Sequence, residues 1–435
     1  MALSNGTTYE IRTTGNDANS GGFDPSYTSG VDRSQQDSPH VIIDGTTISA
    51  VVSATTTNLT LTGYTPVSTD AGNLVAIRGG SATAGIYLIT SVSGSDWVFD
   101  RAVGSAGQTA TGRMGGALAS LGQMGADVGG YGALRVECWI KSGTYLMAAT
   151  KNVAGGYYMS GNFDDGTSIR GYSATRGDKG TATITPTGSW SSVSDYMITV
   201  AVSRNGFVEN LIFDSSNIDS VNALSVKGPV LNSRFINPGA NCYATKYCEL
   251  HGCAVAGSWT RAGDSCIFCD CWVEGGAINS THINCIIRPT IASNGGSFTR
   301  CVIDGGSYLI LGSWGKITYK DCWLYNVPKW LGTNNYLAHI SDCFRYPSGA
   351  YSDESSMTVK NNRYLINLTD VTDDPFIDAA GGDYRLTDAA IAAYRASATS
   401  RQTEDTSGED IWTDVINKAG GGKSNSAGPL RGIVR

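Results

Sequence analysis

A short phrase returns about every 20 residues through the second half of the chain: Asn or Asp, then Cys or a small residue, then any residue, then a large apolar one. It runs through Asn210-Leu211-Ile212-Phe213, Asn232-Ser233-Arg234-Phe235, Gly252-Cys253-Ala254-Val255 and Asp270-Cys271-Trp272-Val273. It continues as Asn284-Cys285-Ile286-Ile287, Arg300-Cys301-Val302-Ile303, Asp321-Cys322-Trp323-Leu324 and Asp342-Cys343-Phe344-Arg345. One short strand per unit at this period is the mark of a solenoid. The step between successive Cys columns is 14 to 22 residues. A helix-bearing repeat needs about 20–29 residues, and the 14-residue step from Cys271 to Cys285 and the 16-residue step to Cys301 leave no room for a helix, so the coils are strands and turns only. With 55 Gly among 435 residues and 16% charged residues, the chain reads as turn-rich and all-β. The expected fold is a right-handed parallel β-helix.

Side chains alternate faces along a strand. The Cys column and the residues two positions on (Phe213, Phe235, Val255, Val273, Ile287, Ile303, Leu324, Arg345) therefore share the inner face. The intervening column, Ile212, Arg234, Ala254, Trp272, Ile286, Val302, Trp323 and Phe344, points outward. Such a stripe is too apolar for open solvent. Either a loop or terminal segment covers it, or Ile212, Trp272, Ile286, Val302, Trp323 and Phe344 form an interface between chains. Aromatic enrichment favours the interface.

A solenoid escapes the size limit of a single globular core, because each coil buries itself on the next. The net charge is −7 and no basic stripe occurs, which argues against nucleic acid as a partner. No run of 18 apolar residues is present, so no membrane insertion is expected. Met1-Ala2-Leu3-Ser4 lacks the basic start and apolar core of a Sec signal, which points to synthesis in a cytoplasm. Eleven Cys are read as a ladder of buried free thiols, since disulfides are rare in that compartment. Cys266, Cys269 and Cys271 cluster in sequence, but alternation separates them and no second pair stands at zinc spacing. No metal is expected. No HExxH, GxSxG or phosphate loop appears, and no cofactor is expected.

Residues 1–40 carry turn chemistry and 41–112 short strands broken by Gly and Asp. Residues 1–112 are thus expected to form a β-rich head that attaches or orients the molecule, with an exposed turn at Ser105-Ala106-Gly107. Residues 113–375 would hold a helix, over 114–128, that plugs the first coil, followed by the β-helix. Residues 376–435 would cap the far end with short helices at 388–398 and 409–418, followed by a Gly-rich linker and tail.

Glycan-cleaving chemistry on this fold needs carboxylates grouped on an outer face. Glu274, Arg288, Asp304, Tyr325 and Tyr346 form one such column. Glu274 and Asp304 stand two rungs apart, about 9.6 Å at the backbone, near the separation an inverting glycosidase uses. The competing reading is an ion-paired column in which Arg288 neutralises both acids. A flanking Arg lowers a carboxylate's pKa, where a general acid needs it raised, so no catalytic residue is assigned beyond these two weak candidates.

The opening Tyr9-Glu10-Ile11-Arg12-Thr13-Thr14-Gly15-Asn16-Asp17 with Gly21-Gly22-Phe23 resembles the start of phage and environmental β-helix proteins. So do Gly115-Gly116-Ala117-Leu118-Ala119-Ser120 and the Ile140-Lys141-Ser142-Gly143-Thr144-Tyr145 turn. Asp374-Pro375-Phe376-Ile377-Asp378 with Gly382-Asp383-Tyr384-Arg385-Leu386 is similar to the last-coil motif of right-handed β-helix repeat proteins. The resemblance implies a virion protein, a non-enzymatic spike or decoration assembled as a homotrimer on capsid or tail proteins. The alternatives are a tailspike-like receptor-binding protein that hydrolyses a host surface glycan, and a bacterial surface adhesin. Fold alone does not choose among them.

Overall fold

The repeated Asn or Asp is a corner residue. Asn210, Asn232, Asp270, Asn284, Arg300, Asp321 and Asp342 have φ between 47° and 58°, and Gly252 has φ 60°. A Cβ makes this left-handed region costly, least so for Asn and Asp, and Gly enters it freely. Each corner ends a strand of one sheet and sends the chain into the next, as from Ile267–Cys269 to Trp272–Glu274. Cys fills the position after the corner because it is small and donates inward. Cys271 Sγ donates to the Cys269 carbonyl at 3.1 Å and to Leu250 of the preceding coil at 3.4 Å. Cys285, Cys301 and Cys322 repeat the pattern. Cys253, Cys271, Cys285, Cys301, Cys322 and Cys343 are all buried free thiols.

The structure, a computed structural model, describes residues 6–53, 56–128, 136–148, 158–163, 168–187, 196–202, 207–216, 222–226, 228–237, 243–246, 249–257, 261–264, 266–274, 277–278, 280–288, 296–305, 317–327, 338–347, 364–366 and 369–396. The chain divides into two units, Met1–Ser189 with Met197–Ile212, and Trp190–Tyr196 with Phe213–Arg435.

In the first unit, six strands between Val41 and Met114 close into a barrel. Its core holds Leu59, Val75, Ile77, Ile89, Trp97, Phe99 and Met114. Buried Asp70 accepts from Trp97 Nε1 at 2.9 Å and from the Tyr64 hydroxyl at 3.0 Å. Burial and this carboxylate push the Tyr64 phenol up to about 12. The turn at Ser105-Ala106-Gly107 is exposed and joins two barrel strands, Asp96–Phe99 and Thr109–Met114.

The opening residues depart from the loop reading. Thr7–Ile11 is a strand that pairs in parallel with Val136–Lys141, followed in the same sheet by Ser168–Tyr172 and Phe207–Glu209. Thr144–Ala148 pairs with Ala182–Thr187 in a second sheet. The helix is shorter than expected, Leu121–Val128, with Leu121, Met124 and Val128 buried. Ser120 caps it by accepting the Gln123 N–H at 3.1 Å. Asp17 holds the Ser120 hydroxyl and the Ala119 and Ser120 amides. Arg78 of the barrel reaches Asp127 through two 2.7 Å hydrogen bonds.

The second unit is a parallel β-helix. Its first sheet runs from Pro229–Leu231 to Tyr364–Ile366. Its second runs from Arg234–Asn237 through Ala254–Gly257, Trp272–Glu274, Ile286–Arg288, Val302–Asp304, Trp323–Tyr325 and Phe344–Tyr346 to Thr369–Asp370. A third set of short strands includes Tyr243–Lys246 and Arg261–Asp264. The inner columns are apolar. Phe268, His282, Phe298 and Tyr319 stack in register at 4.6–4.8 Å between ring centroids. Arg345, at the end of the other inner column, is buried and pairs with Asp370.

Candidate functional site

The outward stripe is covered by its own chain. Trp272, Ile286, Val302, Trp323 and Phe344 are each at most 9% exposed. They share one apolar cluster with Phe376, Ala379, Tyr384, Leu386 and Ala390. These last residues form a strap: a hairpin of Phe376–Asp378 and Asp383–Leu386, then the helix Asp388–Ala396. Phe376 meets Trp323 edge-on at 5.9 Å and Tyr325 at 5.1 Å, and Tyr384 meets Trp272 at 5.8 Å.

This bears on two expectations. The stripe is not an interface left open for other chains, because the strap removes it from water within one chain. Ile212 is half-buried and stands outside the cluster. In the helix at Asp388–Ala396, expected to close the end of the coil, Ala390 and Ile391 pack on the cluster along its flank. The physical reason is shared: a large apolar stripe recruits whatever apolar segment is tethered nearest. The second expected helix, 409–418, lies outside the described residues.

The candidate carboxylates lie beside this cluster. Glu274 accepts the Trp272 indole N–H at 3.0 Å. Asp304 accepts from Arg288 Nε at 2.9 Å and from the Tyr384 hydroxyl. Arg288 also donates to the Ala379 carbonyl at 2.9 Å, and its guanidinium lies 5.1 Å from the Trp272 ring centre and 5.3 Å from that of Tyr384. Tyr325 donates to Asp374 at 2.7 Å and stacks on Tyr346 at 5.3 Å. Burial, then the Asp304 contact, drives the Tyr384 phenol well above its ordinary value. Burial and Asp374 do the same for Tyr325. The Asp304 carboxylate is 14% exposed and already holds a cation and a phenol. Its geometry is that of an anchor for the strap.

Sequence reasoning did not single out two clusters in the first unit. Glu10 is fully buried on the outer face of its strand, held by Arg12 Nε at 2.9 Å, Arg176 Nε at 2.8 Å and the Tyr172 hydroxyl. Arg176 continues to Asp32 and Ser34. Partners 162 and 166 residues away leave no local signal. Further along the same sheet, Trp139, Arg170 and Glu209 stand in register. The Arg170 guanidinium lies 5.0 Å from the Trp139 ring centre and 4.4 Å from that of Phe207, with Glu209 4.0 Å away. Alternation along Val136–Lys141 and Phe207–Glu209 was the available signal for that column.

Among the described residues, no group of three or more His, Cys, Asp and Glu is arranged to hold a metal ion. Cys266 and Cys271 are buried and Cys269 is half-buried. Among the described residues, no helix is long and apolar enough to cross a membrane.

No protein family and no curated protein matches the sequence. Among solved structures, the chain is similar to the tailspike protein gp49 from Pseudomonas phage LKA1, at 12% identity and a TM-score of 0.29. The match covers 78% of this chain and 64% of the tailspike chain.

Proposed function

We propose that the protein is a non-enzymatic structural component of a virion, a solenoid spike or decoration on a phage particle. The observation that carries the non-enzymatic part is the commitment of Asp304 within the carboxylate column. Hydrolysis of a glycan requires a carboxyl free to exchange a proton with the sugar and an open face for it. Asp304 is instead committed to Arg288 and Tyr384 beneath the strap. The virion part rests on the opening and closing motifs and on the parallel solenoid that follows them. Assembly as a homotrimer on capsid or tail proteins belongs to this proposal through the same motifs, and the covered stripe lends it no support. In this reading the N-terminal barrel attaches or orients the coil.

A receptor-binding role with hydrolysis of a surface glycan is favoured by one feature, the half-buried Arg170, Phe207 and Glu209 beside the buried Trp139. Aromatic rings beside a guanidinium and a carboxylate suit contact with a sugar. Two measurements separate the readings. Immunogold labelling of particles from the producing culture should decorate virions, and unlabelled particles would overturn the virion reading. Purified protein incubated with host surface polysaccharide should release no reducing ends. Release that stops in Glu209→Gln would establish the hydrolase instead.

A further inference from the structure

Arg33, beside the barrel, carries a charge that the rest of the first unit leaves unused. Its Nε is buried without a hydrogen-bond partner, and among the described residues its guanidinium forms no ion pair. A buried polar atom of this kind calls for an explanation. The nearby acids are committed elsewhere. Asp32 holds Arg176 at 2.8 Å and the Ser34 hydroxyl. Buried Asp70 holds Tyr64, Trp97 and the Val67 amide. Arg33 and His40 spring from one place in the fold: a Cβ added at Gly115 would meet the Cβ atoms of both, at 2.8 and 3.2 Å. Tyr64 stands behind them, its hydroxyl 3.4 Å from His40 Nε2. The phenolic proton goes to Asp70 at 3.0 Å, so Nε2–H donates to the phenol oxygen and sets the tautomer. Among the described residues nothing occupies Nδ1, which becomes a donor when the ring is protonated. The surroundings are apolar. Val31, Ile42 and Val67, at 43%, 66% and 44% exposed, are three of the six large apolar side chains exposed among the described residues. All three belong to the segments that carry Arg33, His40 and Tyr64. The Val31 amide bonds to Thr69, and that of Val67 to Asp70.

We propose that Arg33 and His40, with Val31 and Val67 beside them, dock a protein segment that brings a carboxylate flanked by apolar residues. Arg33 pairs with the carboxylate through charge-assisted hydrogen bonds, and Nδ1–H of the protonated His40 ring supplies a further donor. The valines bury the flanking side chains, which a free anion lacks, and this selects a peptide carboxylate as the occupant. Burial, then Arg33, hold His40 below its ordinary value, with Asp70 opposing them. A bound carboxylate offsets Arg33 and draws a proton onto the ring, so binding strengthens as pH falls through the His40 titration. The proposal deepens the reading of the barrel as the element that attaches the coil, and rests on it.

The test titrates the full-length protein with acetyl-Val-Asp-Val-amide and follows the His40 ring proton by NMR, assigned through His40→Gln. The expected result is a saturable shift at about pH 6 that weakens towards about pH 8 and is absent with acetyl-Val-Asn-Val-amide. Arg33→Gln should weaken binding about tenfold, the loss of one hydrogen bond between charged groups. Sodium phosphate or acetate binding as tightly as the peptide would make a free anion the occupant and overturn the proposal. So would equal binding of the Asn peptide, undiminished binding in Arg33→Gln, or no shift with any probe. The peptide titration needs no particle. Gold-labelled virions without peptide binding would reject this site and leave the virion reading standing.

Discussion

Tyr384 donates its phenolic proton to Asp304, 80 residues earlier in the chain. The same carboxylate takes Arg288 Nε at 2.9 Å, and Arg288 Nε stands 2.7 Å from the Tyr384 oxygen. Three side chains from two rungs and the strap thus close on one another beside an apolar cluster. The outer column read from sequence as a choice between catalysis and ion pairing is, in the fold, the fastening of a cover.

Tyr384→Phe should loosen that fastening while keeping the ring on Trp272. The phenol's hydrogen bonds with Asp304 and Arg288 are both lost, about 1.5–3 kcal/mol each at most, and less here because Asp304 and Arg288 keep each other. Urea unfolding should show a lower midpoint. Proteolysis should cut the strap region faster while the coil fragment survives. An unchanged midpoint would mean the phenol contributes nothing net.

Trp323→Ala removes one of the two tryptophans under the strap and should cost about 3–5 kcal/mol. Light scattering is the decisive companion measurement. Trp272→Glu with Trp323→Glu should leave the molar mass of the folded fraction unchanged, because the stripe is covered within one chain. A fall from an oligomeric to a monomeric mass would show that the stripe also faces another copy.

His282 is the polar member of an aromatic stack. It is fully buried, neither ring nitrogen makes a close hydrogen bond among the described residues, and the Cys285 thiol is a polar group that interacts with it. His282→Phe should continue the stack from Phe268 to Phe298 and relieve the buried polar atoms, a gain of about 1–3 kcal/mol. Chemical denaturation measures it. A loss of stability would imply that the imidazole is hydrogen-bonded in solution, for instance to an internal water.

The thiol ladder predicts alkaline sensitivity. Burial pushes Cys271, Cys301, Cys322 and Cys343 well above the ordinary thiol value. Below that ordinary value, thiols are protonated in both folded and unfolded chains and contribute no pH dependence. Above it, the unfolded chain ionises and the folded chain does not, so stability falls as pH rises. Each thiol adds a slope of up to about 1.4 kcal/mol per pH unit. Unfolding midpoints between pH 8 and 10.5 should fall steeply, and Cys301→Ala with Cys322→Ala should flatten the fall. Half-buried Cys269 is raised only to about 11, so iodoacetamide should label it ahead of the ladder in the native protein.

The corner residues predict a ranking. Asp270→Val puts a β-branched side chain at φ 54° and should cost about 1–2 kcal/mol or more. Arg300→Gly, at φ 52°, relieves a strained residue and should cost nothing or stabilise slightly. Thermal unfolding of the two variants checks the order, and equal losses would show that the corners carry no backbone strain.

What the sequence determined by itself is everything that repeats. The period fixes one strand per rung in each sheet, Asn or Asp marks the left-handed corner, and Cys with the residue two positions on marks the interior. Each rung meets the same local environment as its neighbours, so eight weak signals add into one strong one. The sequence also determined that Trp272, Ile286, Val302, Trp323 and Phe344 had to leave water. Only the tertiary structure decided what covers them. Hydrophobic burial is non-directional and names no partner, so an outward apolar stripe reads the same whether another chain or residues 376–391 lie on it. Likewise Glu10 reads as an outer-face carboxylate until Tyr172 and Arg176 fold over it. A charged group is buried by its long-range partners, and those are brought together by the coil itself.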